Sequence, residues 1–456
     1  MAIFPTLTKT DHARALLTLG LPLVGSHLAQ MALHVTDTVM LGWYGVVELA
    51  AVVLGAAAFF IVFILGSGFG QAVMPMVAQA LGRGDEVQVR RDTRMGLWLS
   101  IGFGMVCYPV FWWSEAILLA LGQQPDVSAL AQDYLRIAGL GIMPALLVMA
   151  LKSYLAALER TQVVLWITLA AVVLNAGINY ALIFGNWGAP ELGVRGAAIA
   201  SVLTQAVTFA ALAFYAHWLP ELRRFALFQR FWRPDWQAMR QVYRIGWPIG
   251  LTGLAEGGMF QASAIMMGWI GTIELAAHGI ALEVTALAFM VHLGLSNAAT
   301  IRVGRAMGQG DAASLRGGAK VALILSLGFG VTMMVLFLAL PGPIVALFLD
   351  RENPSSGAII AFGTVLLALS ALFQLVDATQ VMALGFLRGL QDTRAPMWMA
   401  ALSYWVIGIP ASYALAFPLG FGGAGLWLGL TVGLSVAAAF LMTRFWRNAP
   451  HPVQRD

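Results

Sequence analysis

Apolar residues run along this chain in stretches too long for a strand and too uniform for an amphipathic surface helix. Residues 50–65, 163–184 and 321–340 contain no charged side chain. Each approaches the ~20 residues that a helix needs to cross a hydrocarbon layer of ~30 Å. In that layer no water satisfies backbone N–H and C=O groups, so only helices or closed barrels can span it, and barrel strands would alternate where these runs are continuous. Turn signals between the runs divide the chain into twelve spans, near 17–42, 49–75, 95–114, 131–151, 162–185, 196–217, 242–270, 276–303, 319–340, 357–384, 395–417 and 422–443.

The basic residues test that division, because cytoplasmic loops carry the excess of Lys and Arg. Assigned to alternate sides, 23 of the 26 fall on one side, and only Arg136, Arg195 and Arg351 fall on the other. A wrong span count would mix the sides partway along, and no mixing occurs. Both termini are therefore expected in the cytoplasm, with Arg455 on the same side as Lys9 and with Lys152 and Arg388 counted among the loop charges. The longest basic loop, 219–241, contains Pro220 and Pro234 and reads as a linker between a first domain, 1–218, and a second, 242–456.

Composition fits this picture. Sixty per cent of residues are hydrophobic and 11% are charged, against about a quarter charged in soluble proteins, and the mean hydropathy is +0.80. The surface must largely face the lipid bilayer. A net charge of +4 is spread over short loops rather than gathered into a patch, so nucleic acid is not an expected partner. The lone Cys107 lies in an apolar run and cannot form an intrachain disulfide.

Sliding the chain against itself by 226 residues uncovers an internal repeat. The block from Gly42 to Ala51, GWYGVVELAA, meets GWIGTIELAA from Gly268 to Ala277. The same offset pairs Arg14, Gly20 and Pro22 with Arg240, Gly246 and Pro248, and Ala80, Gly82, Gly84, Asp85 and Arg90 with Ala306, Gly308, Gly310, Asp311 and Arg316. One offset shared by separate blocks, loop residues included, does not follow from hydrophobic composition. The expected fold is an all-α membrane protein of twelve transmembrane helices in two homologous six-helix bundles. An even number of helices per unit gives both bundles the same orientation, and a substrate site is expected near the midplane.

Ionisable side chains deep in a span cost roughly 2.5 to 3.5 kcal/mol on insertion scales, so each is a functional candidate. Asp37, Glu256, Glu283 and Asp377 lie well inside spans. None has an acidic counterpart in the other half: at the 226 offset Asp37 meets Ser263, Glu256 meets Gln30, Glu283 meets Ala57, and Asp377 meets Leu151 if no insertion shifts the register. Asn175 and Asn179, four residues apart, share a helix face that meets Asp37 if their helices are neighbours. Amide oxygens beside a carboxylate can coordinate a hard cation or steer a proton, and they can equally hydrogen-bond a neighbouring helix. His278 and His292 share a span with Glu283 without the three- or four-residue spacing that a metal site on one face needs. Glu48 and Glu274 suit helix starts, where the dipole favours a carboxylate. Pro22, Pro248 and Pro410 each remove a helical hydrogen bond.

These motifs resemble the multidrug and toxic compound extrusion family, and within it the bacterial NorM-type branch. The resemblance covers nearly the whole chain and rests on Pro22, Asp37-Thr38-Val39-Met40-Leu41-Gly42, Glu48-Leu49-Ala50-Ala51, the block from Val77 to Asp85, and their counterparts in the second half. It implies two six-helix bundles that export cationic drugs or toxins in exchange for inward Na⁺ or H⁺ across the bacterial inner membrane, with the coupling ion in place of any cofactor and a monomer as the working form. It further implies that Glu256 and Asp377 belong to a cation-binding group, with Na⁺ one candidate occupant, and that Asp37, Asn175 and Asn179 form a polar cluster in the first bundle. Glu283 stands where a polar amide is expected in many similar proteins, which leaves the coupling ion and its stoichiometry open. Aromatic residues such as Phe260, Phe289, Phe373, Tyr404 and Trp405 offer stacking or cation–π contacts to flat cations.

One alternative within transport and two of other classes compete with this expectation. A lipid-linked oligosaccharide flippase would line its cavity with basic residues for pyrophosphate, whereas the acids here favour cationic cargo. An enzyme would need a nucleophile or metal constellation, yet HExxH, GxSxG and Walker A motifs are all missing. A channel or receptor fits duplicated bundles less well than an alternating-access carrier does.

Overall fold

Each predicted span falls on one long helix, overrunning it by at most two residues, while the helices extend up to nine residues beyond the spans. The structure, a computed structural model, describes residues 8–349 and 354–451. Arg351 and Arg455 lie outside the described residues. The long helices are α1 (Lys9–Tyr44), α2 (Val46–Arg83), α3 (Glu86–Trp112), α4 (Pro125–Ala157), α5 (Thr161–Phe184), α6 (Val194–Trp218), α7 (Trp236–Ile270), α8 (Thr272–Gln309), α9 (Ala312–Ala339), α10 (Ser356–Gly389), α11 (Arg394–Ala416) and α12 (Gly422–Asn448). Among the described residues eleven helices are apolar and long enough to cross a membrane, all of these but α7. Six glycines, Glu256 and Gln261 dilute the hydropathy of α7, although it occupies the same place in its repeat as α1.

The repeat has a structural explanation in its loops. Gly84 and Gly310 end α2 and α8 in the left-handed region, at φ 73° and 71°, where a side chain would be strained. The next residue caps the following helix: Asp85 accepts from the Gln88 amide and Asp311 from the Ser314 amide, both at 2.9 Å. The duplicated Gly-Asp pair is thus a helix stop followed by a helix start. Glu48 and Glu274 stand in the first turns of α2 and α8, as the dipole favours.

By the loops between α4 and α5 and between α10 and α11 the repeat offset has grown from 226 to 232, with Leu158 and Thr161 opposite Leu390 and Thr393. The non-glycine residues Glu159 and Gln391 share a left-handed conformation, at φ 62° and 60°, 232 residues apart. At that offset Asp377 stands opposite Ala145 rather than Leu151. The replacement is again apolar, and the asymmetry of the acids survives the corrected alignment.

Packing divides the chain into two compact units, one of residues 1–24 with 252–456, the other of 25–251. These bounds differ from the repeat boundary around 219–241, because α1 and α7 each change unit partway along. In the first unit the early turns of α1 lie on α8, where a side chain on Gly294 would meet the Val24 amide at 2.7 Å and one on Gly20 would meet Leu295. In the second the early turns of α7 lie on α2, where a side chain on Gly246 would meet the Phe69 Cα at 2.8 Å. Gly20 and Gly246, and Gly68 and Gly294, are repeat partners, so both crossings use glycine to bring helix backbones together as membrane interfaces commonly do.

The linker is tied down at its end. Arg91 on α3 donates twice to Asp235, Nε to Oδ2 at 2.5 Å and Nη2 to Oδ1 at 3.2 Å. This guanidinium holds the Asp235 carboxyl below its usual range. A depressed carboxyl contributes stability above its unfolded pKa and loses it as the pH falls through the folded one. Asp235→Asn is therefore expected to lower the melting temperature at neutral pH, by the equivalent of about 1 kcal/mol for a half-exposed bidentate pair. The difference from wild type closes below about pH 4, the range of an ordinary aspartate. Melting curves of both proteins in detergent across that range check it, and a difference independent of pH would reject the charge pairing.

The helices extend past the apolar runs and take in many of the basic residues expected in loops, among them Lys152 and Arg388. Lys152 is buried in α4 and Arg388 is half-buried near the end of α10.

Candidate functional site

Each unit holds a carboxylate that the sequence places deep in a span, with polar groups around it. In the unit of residues 25–251, α1, α5 and α6 converge on Asp37. Asn179 Nδ2 donates to Asp37 Oδ1 at 2.5 Å and to Asn175 Oδ1 at 3.1 Å, and Ser201 Oγ donates to Asp37 Oδ2 at 3.4 Å. The helix adjacency on which the sequence expectation depended is thus observed, and Ser201 is a member that sequence reasoning missed. Asn175 and Asn179 are buried and Asp37 is half-buried. The Asn179 carbonyl oxygen has no hydrogen-bond partner among the described residues, so the cluster keeps an unused acceptor beside its carboxylate.

In the other unit Glu256 of α7 and Asp377 of α10 lie within electrostatic reach of each other. Asp377 is 2% exposed. Glu256 Oε1, Asp377 Oδ1 and Gln380 Oε1 are buried without hydrogen-bond partners among the described residues. Buried acceptors are normally satisfied, so three spare oxygens around two carboxylates form an electron-rich group suited to a proton or a hard cation.

α8 fixes the position of α10. Ser296 Oγ and Thr300 Oγ1 on α8 donate to the Val381 and Gly385 carbonyls of α10, both at 2.8 Å. Asp377 lies one turn from the first of these anchors.

Residues Leu402–Gly408 within α11 form a π-helical turn. Such turns are rare and gather at functional sites. Tyr404 Oη accepts from Gln380 Nε2 at 2.5 Å, and Tyr404 lies within electrostatic reach of Glu256, Asp377 and Arg388. The neighbouring Trp405 Nε1 donates to the Ala255 carbonyl at 3.0 Å, and its ring covers Gly258, where a Cβ would approach Trp405 Cζ2 to 2.8 Å. The two consecutive aromatics of one turn therefore brace the residues on either side of Glu256 and the amide next to Asp377. The wide turn fits because Gly408 and Gly433 let α11 and α12 touch through backbone, with a Gly408 Cβ reaching the Gly433 Cα at 3.2 Å.

An aromatic wall adjoins the cluster. Phe260, Phe373 and Trp427 meet edge to face in sequence, with ring centroids 6.1 and 5.6 Å apart. Trp427 Nε1 donates to His278 Nδ1 at 3.1 Å. Because an indole only donates, His278 Nδ1 is the acceptor and the ring proton sits on Nε2, toward Ser263 Oγ at 3.4 Å. His278 is a packing residue locked in one neutral tautomer.

Glu283 does not join either cluster. It is exposed on α8, while its neighbour Val284 turns into the core. Arg388, by contrast, lies within electrostatic reach of Glu256 and Tyr404. The sequence conceals this placement, because the helix outlasts its apolar run and the arginine looks like a loop charge.

A family model described as MatE matches residues 22–181 and 248–414. The two matches open on Pro22 and Pro248, the paired prolines of the repeat. The protein "Probable multidrug resistance protein NorM" of Rhizobium meliloti (strain 1021) is 48% identical over 436 residues, covering 96% of this chain and 93% of its own. The protein of the same name from Agrobacterium fabrum is 45% identical, covering 95% of this chain and 94% of its own. Among solved structures, "Crystal structure of MATE in complex with MaL6" superposes with a TM-score of 0.86 at 19% identity, covering 96% of this chain and 97% of that one. A second, "Outward-facing conformation of a multidrug resistance MATE family transporter of the MOP superfamily", gives 0.84 at 19% identity, covering 96% and 97%. These structural likenesses establish the twelve-helix fold, while the family model and the close relatives establish descent. The chain belongs to the MatE family of multidrug and toxic compound extrusion transporters, in its NorM-type bacterial branch.

Proposed function

We propose that this chain is a secondary active exporter of organic cations, exchanging each for inward Na⁺ or H⁺ across the bacterial inner membrane, with both termini cytoplasmic and a single chain as the working unit. The observation that carries the proposal is the set of buried, unpartnered oxygens on Glu256, Asp377 and Gln380. Buried carboxylate oxygens without hydrogen bonds are costly, and a mobile positive charge removes that cost. Coupling ion and cationic drug then compete for the same carboxylates. Exchange follows from competition, because loading one displaces the other. Asp37, with Asn175, Asn179 and Ser201, supplies a second loading point in the other unit. Its amides hold the carboxylate in one orientation while the spare Asn179 oxygen remains available.

The test is efflux of a fluorescent organic cation from proteoliposomes under an imposed Na⁺ gradient, an imposed H⁺ gradient, or neither. Wild-type flux is expected to saturate and to follow one of the two gradients. Glu256→Gln, which keeps the shape and removes the charge, is expected to uncouple flux from that gradient. Wild-type efflux indifferent to both gradients would reject antiport. Flux that rises linearly with cation concentration without saturating would identify a channel.

A further inference from the structure

The linker 219–241 is a folded element rather than a loose tether. After one helical turn, Pro220–Arg223, it runs through tight turns in which the Phe225, Gln229 and Arg233 amides donate to the Leu222, Ala226 and Arg230 carbonyls at 3.1, 3.0 and 3.1 Å. Ala226 and Arg230 hold the left-handed conformation, at φ 44° and 52°, which a non-glycine residue keeps only where its surroundings fix it. The last turn is pinned through its backbone. Arg94 on α3 donates to the Gln229 and Arg230 carbonyls, both at 3.2 Å, and Trp98 Nε1 donates to the Phe231 carbonyl at 2.8 Å. Leu222, Phe225 and Leu227 are buried, and the Phe225 ring meets Tyr154 of α4 edge to face. The apolar side chains of the linker therefore turn inward, and its outer face is basic and aromatic: Arg223, Arg230 and Arg233 are exposed, and Trp232 is 72% exposed.

The linker's own acids do not neutralise that face. Five arginines stand against Glu221 and Asp235, and both acids are taken by arginines outside the segment, Glu221 by Arg160 and Asp235 by Arg91. Arg224 reaches Glu86 at 3.3 Å. Arg223, Arg230 and Arg233 pair with no carboxylate among the described residues. Arg230 and Arg233 open and close one turn around Trp232, so two guanidinium groups and an indole leave the same four residues. The segment joins the end of α6 to the start of α7, which places it at a membrane surface, with Trp218 and Trp236 exposed at its two ends. Indoles gather at that boundary, and a guanidinium fork matches the two free oxygens of a phosphodiester. We propose that the turn Arg230–Arg233 is a binding site for the headgroup of an anionic phospholipid, with both arginines on the phosphate and Trp232 among the glycerol and ester groups beside it. The site lies within the unit of residues 25–251 and does not rest on the role of the Glu256–Asp377 group.

An arginine facing an anionic membrane surface contributes about fivefold in affinity, so losing two weakens binding about twenty-fivefold. The experiment titrates the purified full chain in detergent with dioleoylphosphatidylglycerol, dioleoylphosphatidylcholine or inorganic phosphate and counts the bound molecules by native mass spectrometry. Wild type is expected to prefer the anionic lipid to the zwitterionic one, and to bind it less tightly as ionic strength rises. The double variant Arg230→Gln, Arg233→Gln is expected to weaken the anionic lipid about twenty-fivefold. The double lysine variant, which keeps the charges and loses the forks, falls between it and wild type. Arg447→Gln, which removes an exposed arginine at the end of α12 in the other unit, is expected to leave binding unchanged. Trp232→Ala is expected to weaken the lipid as well, and it serves if the double glutamine variant melts early. Equal affinity for the two lipids, or unchanged binding in the double glutamine and Trp232→Ala variants, would overturn the proposal. A loss that Arg447→Gln matches would overturn it too, leaving only diffuse surface charge. Inorganic phosphate binding as tightly as the lipid, with the same dependence on Arg230 and Arg233, would replace the lipid site with one for free anions.

Discussion

Asp377→Asn is expected to reduce gradient-driven efflux of a fluorescent cation by about a hundredfold while leaving expression and melting close to wild type. The amide is nearly isosteric, so α10 keeps its anchors to Ser296 and Thr300. What disappears is a charge that is 2% exposed and has an oxygen without a partner. A buried charge deprived of its counterpart is worth about 3 kcal/mol at the low end, and at ~1.4 kcal/mol per decade that gives roughly two orders of magnitude. The loss is predicted in the coupled component, so passive leak of the dye in proteoliposomes stays unchanged. Glu283→Gln provides the contrast. Its carboxylate is exposed and off the cluster, and efflux is expected to stay within about threefold, as for an exposed group. If Asp377→Asn retains most of its efflux while Glu283→Gln loses it, the cation site has been placed on the wrong acid.

Those two acids show how unevenly the sequence reveals the site. All four intramembrane carboxylates carry the same signal, a charge in an apolar run, and nothing in a single helix's composition says which way each one turns. Asp37 was the most legible, because Asn175 and Asn179 at four-residue spacing declare a polar face that needs a partner, and the structure supplies it at 2.5 Å. Glu256 and Asp377 are far apart in sequence and come together through the packing of α7 and α10, which periodicity does not encode. Arg388 was misread for a physical reason. Apolar runs mark where lipid begins and ends, whereas helices are bounded by caps, and α10 continues to Gly389. The halving of α1 and α7 between units was equally hidden, since a helix reads the same in sequence whichever neighbours its two ends choose. Their Gly20, Gly68, Gly246 and Gly294 contacts were visible only as repeat-matched glycines. Span number, by contrast, was secure, because charge placement tests it at every loop.

The π turn was the least legible element, and it yields the sharpest expected result. Leu402–Gly408 reads LSYWVIG, a sequence that would serve as well in an α-helix. One additional residue per wide turn swings Tyr404 and Trp405 around the axis of α11, and both then reach partners: Tyr404 takes the Gln380 hydrogen bond and Trp405 gives one to the Ala255 carbonyl. Val406 is exposed and touches neither cluster. Deleting it offers the segment an ordinary α-helical path with better hydrogen bonding, so the fold is expected to survive with melting unchanged or raised. The two aromatics, however, rotate by part of a turn. Gln380 loses its phenol and Glu256 loses the indole that braces Ala255 and Gly258. Each lost buried hydrogen bond costs about 1 to 3 kcal/mol of positioning, which places coupled efflux at least tenfold below wild type. Val406→Ala, which keeps the residue count and removes only side-chain bulk, is expected to transport normally. Efflux from the deletion variant equal to that of Val406→Ala, with intact melting, would show that the wide turn is a packing accident rather than the device that holds two aromatics against the cation site.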